Sequence, residues 1–435
     1  MRLLYVIATW LVFGALFPVL ALMKKTRDGF WQRFGFYPPG LLPGPGSPRI
    51  WLHGASAGDL LALSPMIDRL RARFPEAKVI VSTMTNTGHL MATERLERNI
   101  DAVIYAPWDL FGSTRRAVAA VKPDLLVLEY TEIWPNLIRA AHASGGRVAL
   151  TNGRFSPRHL ARYRTLFNLI SNPLHDIDLF LMREDDEAER VLSLGAPKDR
   201  VRVTGNTKFD ALVPLSQAVE DHALRDALGV RAADRVWIAG STHEGEEELL
   251  FSVYKKLIIE TPDLFMVIAP RYLERAERVV QLAREAGLHV GLRSNGNPQR
   301  APVIVLDTIG ELARAYRLAT IVFVGGSFTT RGGQNILEPA AQGKPVLFGP
   351  HMENFHDSVQ VLVGRGGIQV KDEEHLVRVM SDLFSRPESI DSLGALARNA
   401  VNQISGASDR NVEALAALVS PSPRGRGEGR GEGPP

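Results

Sequence analysis

Six short segments of this chain set groups that can move a proton or hold charge beside residues small enough for a backbone to approach a ligand. They are His53-Gly54-Ala55-Ser56-Ala57-Gly58-Asp59, Glu129-Tyr130-Thr131-Glu132-Ile133-Trp134-Pro135-Asn136, Gly205-Asn206-Thr207-Lys208-Phe209-Asp210, Ser241-Thr242-His243-Glu244-Gly245-Glu246-Glu247, Pro270-Arg271-Tyr272, and the run GGSFTTRGGQNILEP beginning at Gly325. Asp59 carries the carboxylate a general base needs, and equally the side chain that caps a helix by accepting backbone N–H bonds. Ser241 and Thr242 offer a hydroxyl pair, followed by acids that serve as readily as helix-dipole partners. Arg271 can clamp a phosphate through parallel N–H bonds or sit in a surface ion pair. Lys208, on its own, reads as a solvated lysine. In the last segment glycine permits close approach, and Asn335 and Glu338 open a helix whose free N–H groups suit an anion; the plainer alternative is a tight turn with Glu338 as a buried polar contact.

These segments need a scaffold that delivers them to one edge. Apolar runs at 50–54, 79–82, 102–105, 125–128, 148–150, 179–181 and 201–203 alternate with stretches long enough for crossover helices, which predicts a parallel sheet. The pattern restarts at 236–239, 265–269, 303–306, 320–324, 346–348 and 368–370 after a polar linker at 211–234. Two doubly wound α/β halves follow, with a ligand expected in the cleft between them, at the carboxyl ends of the strands. The expected organisation is a membrane-anchor helix at 1–25, a first domain at 26–210, the linker, a second domain at 235–419 and a disordered tail at 420–435.

The 435 residues exceed one small core, and 45% hydrophobic with 23% charged residues is ordinary for folded domains. A net charge of +3 with no clustering of Lys and Arg argues against nucleic acid as a partner. The absence of cysteine removes disulfides, thiolate nucleophiles and Cys-ligated zinc. Residues 3–23 are almost wholly apolar apart from Thr9, and Lys24, Lys25 and Arg27 follow at once, so a membrane anchor with the remaining chain on the cytoplasmic side is expected. Trp31, Phe34, Phe36 and Tyr37 suit an interfacial collar, or a linker packed on the first domain. The tail SPSPRGRGEGRGEGPP has no apolar residue with which to offset the entropy of ordering.

In this order the segments resemble the Kdo transferase family, enzymes that pass 3-deoxy-D-manno-octulosonic acid from its CMP-activated form to the lipid A precursor of lipopolysaccharide. The resemblance rests on Trp134-Pro135-Asn136, Gly205 to Asp210, Ser241 to Glu247, Pro270-Arg271 with Glu274-Arg275, Gly310-Glu311 and the glycine-rich loop, and it extends from the N-terminal helix to about Leu418. It implies a GT-B fold, inversion at the anomeric carbon, no metal or other cofactor, and an inner-membrane location. It further implies that CMP is held by Pro270, Arg271, Ile309, Gly310, Glu311, Asn335, Ile336, Leu337 and Glu338 near Ser241 and Thr242. Lys208 is the charge-stabilising lysine of that family, and a carboxylate of the first domain its base.

The departures fall at sites of chemistry. The family's catalytic glutamate is Asp59 here, one methylene shorter. A second family glutamate aligns with Tyr130, which carries no charge at neutral pH, while Glu132 is retained. The family's Gly-Gly-His-Asn is Gly332-Gly333-Gln334-Asn335, and its Pro-Arg-His is Pro270-Arg271-Tyr272. Two alternatives therefore stand beside Kdo transfer: a divergent GT-B transferase for another activated sugar or acceptor, and a non-catalytic membrane protein that binds nucleotide or glycolipid.

Overall fold

The computed structural model describes residues 2–217, 219, 221–296 and 300–419. The tail from 420 lies outside the described residues. The chain forms two units, Met1–Ala211 rejoined by the segment from Gly406, and Leu212–Ser405.

The first unit is built on seven parallel strands: β1 (Arg49–His53), β2 (Lys78–Thr83), β3 (Ala102–Tyr105), β4 (Leu125–Glu129), β5 (Arg147–Gly153), β6 (Leu179–Met182) and β7 (Val201–Val203), in the order β3-β2-β1-β4-β5-β6-β7. The period of two distributes each strand between two cores. Trp51, Leu126, Leu128, Val148 and Leu150 enter one, and Ile50, Leu52, Leu125, Val127 and Ala149 enter the other. A strand buried on both faces reads as an unbroken apolar run, which is why these strands were legible.

The second unit repeats the plan with β8 (Arg235–Thr242), β9 (Leu264–Pro270), β10 (Val290–Leu292), β11 (Val303–Val305), β12 (Ile321–Val324), β13 (Val346–Phe348) and β14 (Gly367–Gln369), ordered β10-β11-β9-β8-β12-β13-β14 and again parallel. The short edge strand β10 was not anticipated, because Gly291 interrupts its apolar pattern and only Val290 of the three is buried. In each sheet the strand order reverses direction beside the first strand, between β1 and β4 and between β8 and β12. At such a point the loops diverge to opposite faces and leave a crevice at the carboxyl edge. The segments beginning at His53, Glu129, Ser241 and Gly325 all leave strands at these two points.

Three expectations about organisation are corrected. The helix Ala407–Val419, assigned to the second domain, belongs to the first: Val412 and Leu415 join the core of Leu60, Leu63 and Ile67, and the buried Asp210 carboxylate accepts the N–H groups of Gly406 and Ser408 at 2.5 Å each. A carboxylate at a helix start satisfies N–H groups that the helix itself leaves unpaired. The stretch 211–234 is not a plain linker. Its helices Val213–Gln217 and His222–Leu228 are part of the second unit, where Leu224 and Leu228 are buried and Asp221 pairs with Arg314.

The apolar amino terminus does form a helix, Arg2–Leu22. Among the described residues, however, no helix is long and apolar enough to cross a membrane. This one is docked along one side: Tyr5 donates to Asp109 at 2.8 Å, and the Phe13 ring packs at 4.8 Å from Trp108 and 5.8 Å from Phe34. Phe34 is thus packed on the first unit, whereas Trp31 and Phe36 remain exposed.

Candidate active site

At the first switch point the helix Ala57–Arg73 begins with a reciprocal cap. Ser56 Oγ accepts the Asp59 N–H at 3.4 Å, and Asp59 Oδ2 accepts the Ser56 N–H at 2.8 Å. The capping alternative for Asp59 is therefore realised. Among the described residues Asp59 Oδ1 receives no hydrogen bond, so a lone pair is left for a proton.

Glu132 sits opposite, where β4 ends. Its Oε2 accepts the Trp134 indole N–H at 2.8 Å and lies 3.7 Å from His53 Nε2, too long for a hydrogen bond but near enough for charge to matter. His53 is fully buried; its Nδ1 meets Ser82 Oγ at 2.9 Å, and Ser82 Oγ also accepts from Trp51 Nε1 at 2.8 Å. Since the indole can only donate, the hydroxyl hydrogen is available to His53 Nδ1, which leaves the imidazole hydrogen on Nε2, facing Glu132. Burial pushes the Glu132 carboxyl up, but His53 and Trp134 outweigh it and hold the group below the usual range. Glu132 therefore remains an anion.

Tyr130 has φ 56°, a left-handed conformation that costs a non-glycine residue energy and is kept only where the surroundings enforce it. Burial first, and the neighbouring Glu129 second, push its phenol up to about 12, so it stays a neutral donor. Lys208 is exposed, with Nζ 4.8 Å from the Phe209 ring centroid. The sequence reading missed two groups here, His53 and Glu129. Burial drives the fully buried Glu129 carboxyl up to about 8, against hydrogen bonds from Thr151 and Asn152 and with help from the charge of Asp59. No local signal separates such a group from an ordinary strand-end acid.

The second switch point is organised by Glu246. This fully buried carboxylate accepts four backbone N–H groups: His243 and Gly326 on Oε2 at 2.9 and 2.6 Å, Ser327 and Phe328 on Oε1 at 2.9 and 2.8 Å. The glycine-rich loop is thereby held against the end of β8. A Cβ on Gly325 would lie 2.6 Å from Thr242 Cα and 2.7 Å from Ser241 O, so a side chain cannot be accommodated there. These loop amides are thus spent on a protein carboxylate rather than offered to an anion. Nor does a long helix begin at Asn335: the helix is Leu337–Ala341, and Asn335 Oδ1 already accepts the Leu337 N–H at 3.1 Å. Asn335 Nδ2 also donates to Glu338 at 3.0 Å, and burial raises the Glu338 carboxyl despite that bond. Ile336 and Leu337 are buried and serve as packing.

Cationic groups supply what the amides do not. Burial lowers His243, and the charges of Arg331, Arg275 and Arg271 lower it further against Glu246. Arg275 is committed to Glu247 at 3.0 Å and Glu244 at 3.4 Å. Arg271 and Tyr272 are exposed after β9, which ends at Pro270, and the Tyr272 ring lies 5.8 Å from that of His243. Ser241 holds φ 56° and Gly310 φ 81°; Ile309 is exposed, and Glu311 is fixed by Arg293 at 3.0 Å. The structure thus gathers Ser241, Thr242, Arg271 and the glycine-rich loop at one sheet edge and adds His243 and Arg331. Arg331 was visible within TTRGG, but nothing in sequence pairs it with His243.

The fold is that of solved nucleotide-sugar enzymes. A UDP-GlcNAc 2-epimerase from Neisseria meningitidis matches with a TM-score of 0.59 at 17% identity, over 85% of this chain and all of that one. A glycosyltransferase from Rickettsia africae matches with a TM-score of 0.57 at 13% identity, over 86% and 99%. Two doubly wound units with polar sites at their switch points place the chain in the GT-B class. Residues 28–211 match the family described as 3-deoxy-D-manno-octulosonic-acid transferase. Relatives bearing that name include those of Haemophilus influenzae, 31% identical over 90% of this chain and 91% of the relative, and Bordetella pertussis, 31% identical over 86% and 88%. The chain belongs to the Kdo transferase family of glycosyltransferases.

Two outcomes follow from the buried acids. Replacing Glu246 by Ala leaves four donors without their acceptor, and the second unit should lose roughly 3 kcal/mol or more of stability in chemical denaturation. Glu129 gives a pH signature. Its folded-state value lies above the unfolded 4.5, so the unfolded chain ionises first as pH rises, and stability is lost from pH 4.5 up to about 8 and then levels off. Glu129→Gln removes this loss: its melting temperature should equal that of the wild type near pH 4 and exceed it by roughly 10 °C or more at pH 8.

Proposed function

We propose that this protein transfers Kdo from CMP-Kdo to a lipid A precursor in lipopolysaccharide core synthesis. The observation that carries the reading is the placement of two arginines at the carboxyl edge of the second sheet, Arg271 just after β9 and Arg331 within the glycine-rich loop that Glu246 anchors. A nucleoside monophosphate leaves as an anion, and fixed cations that face it lower the barrier without a divalent ion. Asn335, Glu338, Gly310 and Glu311 hold the cytidine and ribose. Asp59 takes the proton of the acceptor hydroxyl through Oδ1. The oxygen then forms its bond to the anomeric carbon as the bond to the CMP phosphate breaks, and the electron pair departs with CMP. Lys208 balances the charge that develops, with inversion at that carbon.

Asp59 is shorter than the family's glutamate, but its Oδ2 bond to Ser56 fixes the carboxylate, and fixing a base offsets part of what reach would supply. Tyr130 contributes a neutral hydrogen bond where the family has a charge. The divergent-donor and non-catalytic alternatives draw no support from the site.

The protein works at the inner membrane, on its cytoplasmic side. The helix Arg2–Leu22 lies on the surface of the bilayer instead of crossing it: Phe13 and Tyr5 hold one side to the first unit, while Leu3, Ile7, Leu11, Val12 and Leu22 are exposed. Roughly 0.8 kcal/mol for each buried methylene favours immersing that face.

The reading is tested by assaying the full chain with CMP-Kdo and tetraacylated lipid A precursor. Kdo-bearing product should form and resist EDTA. Asp59→Asn should lower kcat at least about 100-fold while CMP binding persists, and Arg271→Ala should mainly raise the KM for CMP-Kdo. Absence of product with active donor would sink the reading. In vesicle flotation, deleting residues 1–25 should release the chain from anionic vesicles, and alkaline carbonate should release the intact chain as well, since a surface helix, unlike a spanning one, is extractable.

A further inference from the structure

Glu129 is unaccounted for by the reaction as described, yet it lies at the first switch point and is fully buried. It ends β4 directly across from Thr151 of β5 in the register of the sheet. Its Oε2 is 2.6 Å from Thr151 Oγ1, and its Oε1 accepts a hydrogen from Asn152 Nδ2. That second bond fixes which way the Asn152 amide faces. Oδ1 is left to accept the backbone N–H of Thr207 at 3.0 Å, while Nδ2 also reaches Thr207 Oγ1 at 2.5 Å. Thr207 Oγ1 in turn donates to Ala62 O at 2.8 Å, on the helix that Asp59 opens. Thr207 immediately precedes Lys208, whose own N–H is held by Asn206 Oδ1 at 3.1 Å.

The backbone on both sides of this chain of bonds turns left-handed. Tyr130, next to Glu129, has φ 56°, and Asn152 has φ 50°. At Tyr130 such a conformation persists only where surrounding contacts enforce it, whereas asparagine enters it at little cost. Here the contacts run from one acid through one amide to the lysine loop. Three segments at the carboxyl edge, those of Asp59, Glu129 and Lys208, are thereby tied together by side chains from β4 and β5.

We propose that Glu129 is a positioning residue for the transfer reaction: through Asn152 it fixes Thr207, and with it the backbone that carries Lys208. The inference rests on the transfer reaction proposed above. It also accounts for a carboxyl group one residue before Tyr130, at the place where the family's glutamate is missing: an acid is kept at this corner but is turned inward to order the loop. Thr151 Oγ1 donates to the ionised carboxyl, and a protonated one keeps the contact with the roles reversed, donating to Thr151 Oγ1 while Thr151 gives its hydrogen to Leu128 O at 3.4 Å. Glutamine can make the same contacts, with its amide nitrogen toward Thr151 and its oxygen toward Asn152.

The test compares the full-length wild type with E129Q, E129A and N152G, the last chosen because glycine adopts the φ of Asn152 freely. Amide hydrogen exchange across residues 204–211 and the kinetics of Kdo transfer are measured on each, with kcat referred to the CMP-binding fraction so that misfolded protein is not counted. E129A and N152G should exchange the Thr207 amide at least about 10-fold faster and lose roughly 10- to 100-fold in kcat with the KM for CMP-Kdo unchanged. The E129A/N152G double variant should lose no more than either single one, because both break the same link. E129Q should restore both readouts to within about 3-fold of the wild type. Unaltered exchange at Thr207 in E129A and N152G overturns the proposal, as does an E129Q as impaired as E129A. If the wild type transfers no Kdo, the reaction reading has failed, and the exchange data still decide whether Glu129 orders the Lys208 loop.

Discussion

A buried carboxylate must find donors, and Glu246 meets that demand with four backbone N–H groups, three of them in the glycine-rich loop. Everything else at the second switch point depends on this contact. It sets the loop against β8 so closely that position 325 tolerates only glycine. Ser241 is held in a left-handed conformation at the same junction. His243 is pinned by the same carboxylate, and its ring lies 5.8 Å from that of Tyr272. Removing a charge from water is costly, and the cost is offset only by a complete set of hydrogen bonds. That all-or-none character is what makes the loop rigid.

The first unit uses the same device. Glu129 receives two side-chain donors rather than four amides, which compensates its burial less fully, and its carboxyl rises to about 8. Asp210 and Asp109 repeat the theme at helix starts, the first accepting Gly406 and Ser408 and the second accepting Asn136 and Leu137. The buried acids are thus mostly fasteners. Asp59, like Glu132 and Glu338, combines a fastening oxygen with one that receives no hydrogen bond among the described residues.

Chemistry at both switch points then follows from what is fastened. The glycine-rich loop carries Arg331, while three of its amides are taken by Glu246. At the end of the other sheet stand a capped aspartate, a neutral phenol at Tyr130 and the anionic Glu132. Departures from the family at Asp59 and Tyr130 fall among groups whose neighbours are tied down. A shortened or neutral side chain works there only if its surroundings do not drift.

The sequence by itself determined the two parallel sheets, because strands buried on both faces must be written as unbroken apolar runs, and it determined the family, because six ordered segments sit at strand ends. It also singled out Arg271, Asn335, Glu338 and Asp59 as candidates. Only the tertiary structure decided what the acids do. Whether Glu246 or Glu129 meets donors depends on the approach of loops about 80 and 23 residues away, and local spacing carries no record of such contacts. The same reason explains the last helix. Its apolar face at Val412 and Leu415 would fit either unit, and the choice was made by Asp210, nearly 200 residues earlier, whose carboxylate accepts the N–H groups at its start. At the amino terminus the apolar run specified a helix, while Phe13 and Tyr5, by finding Trp108 and Asp109, decided that one side of it is packed against protein.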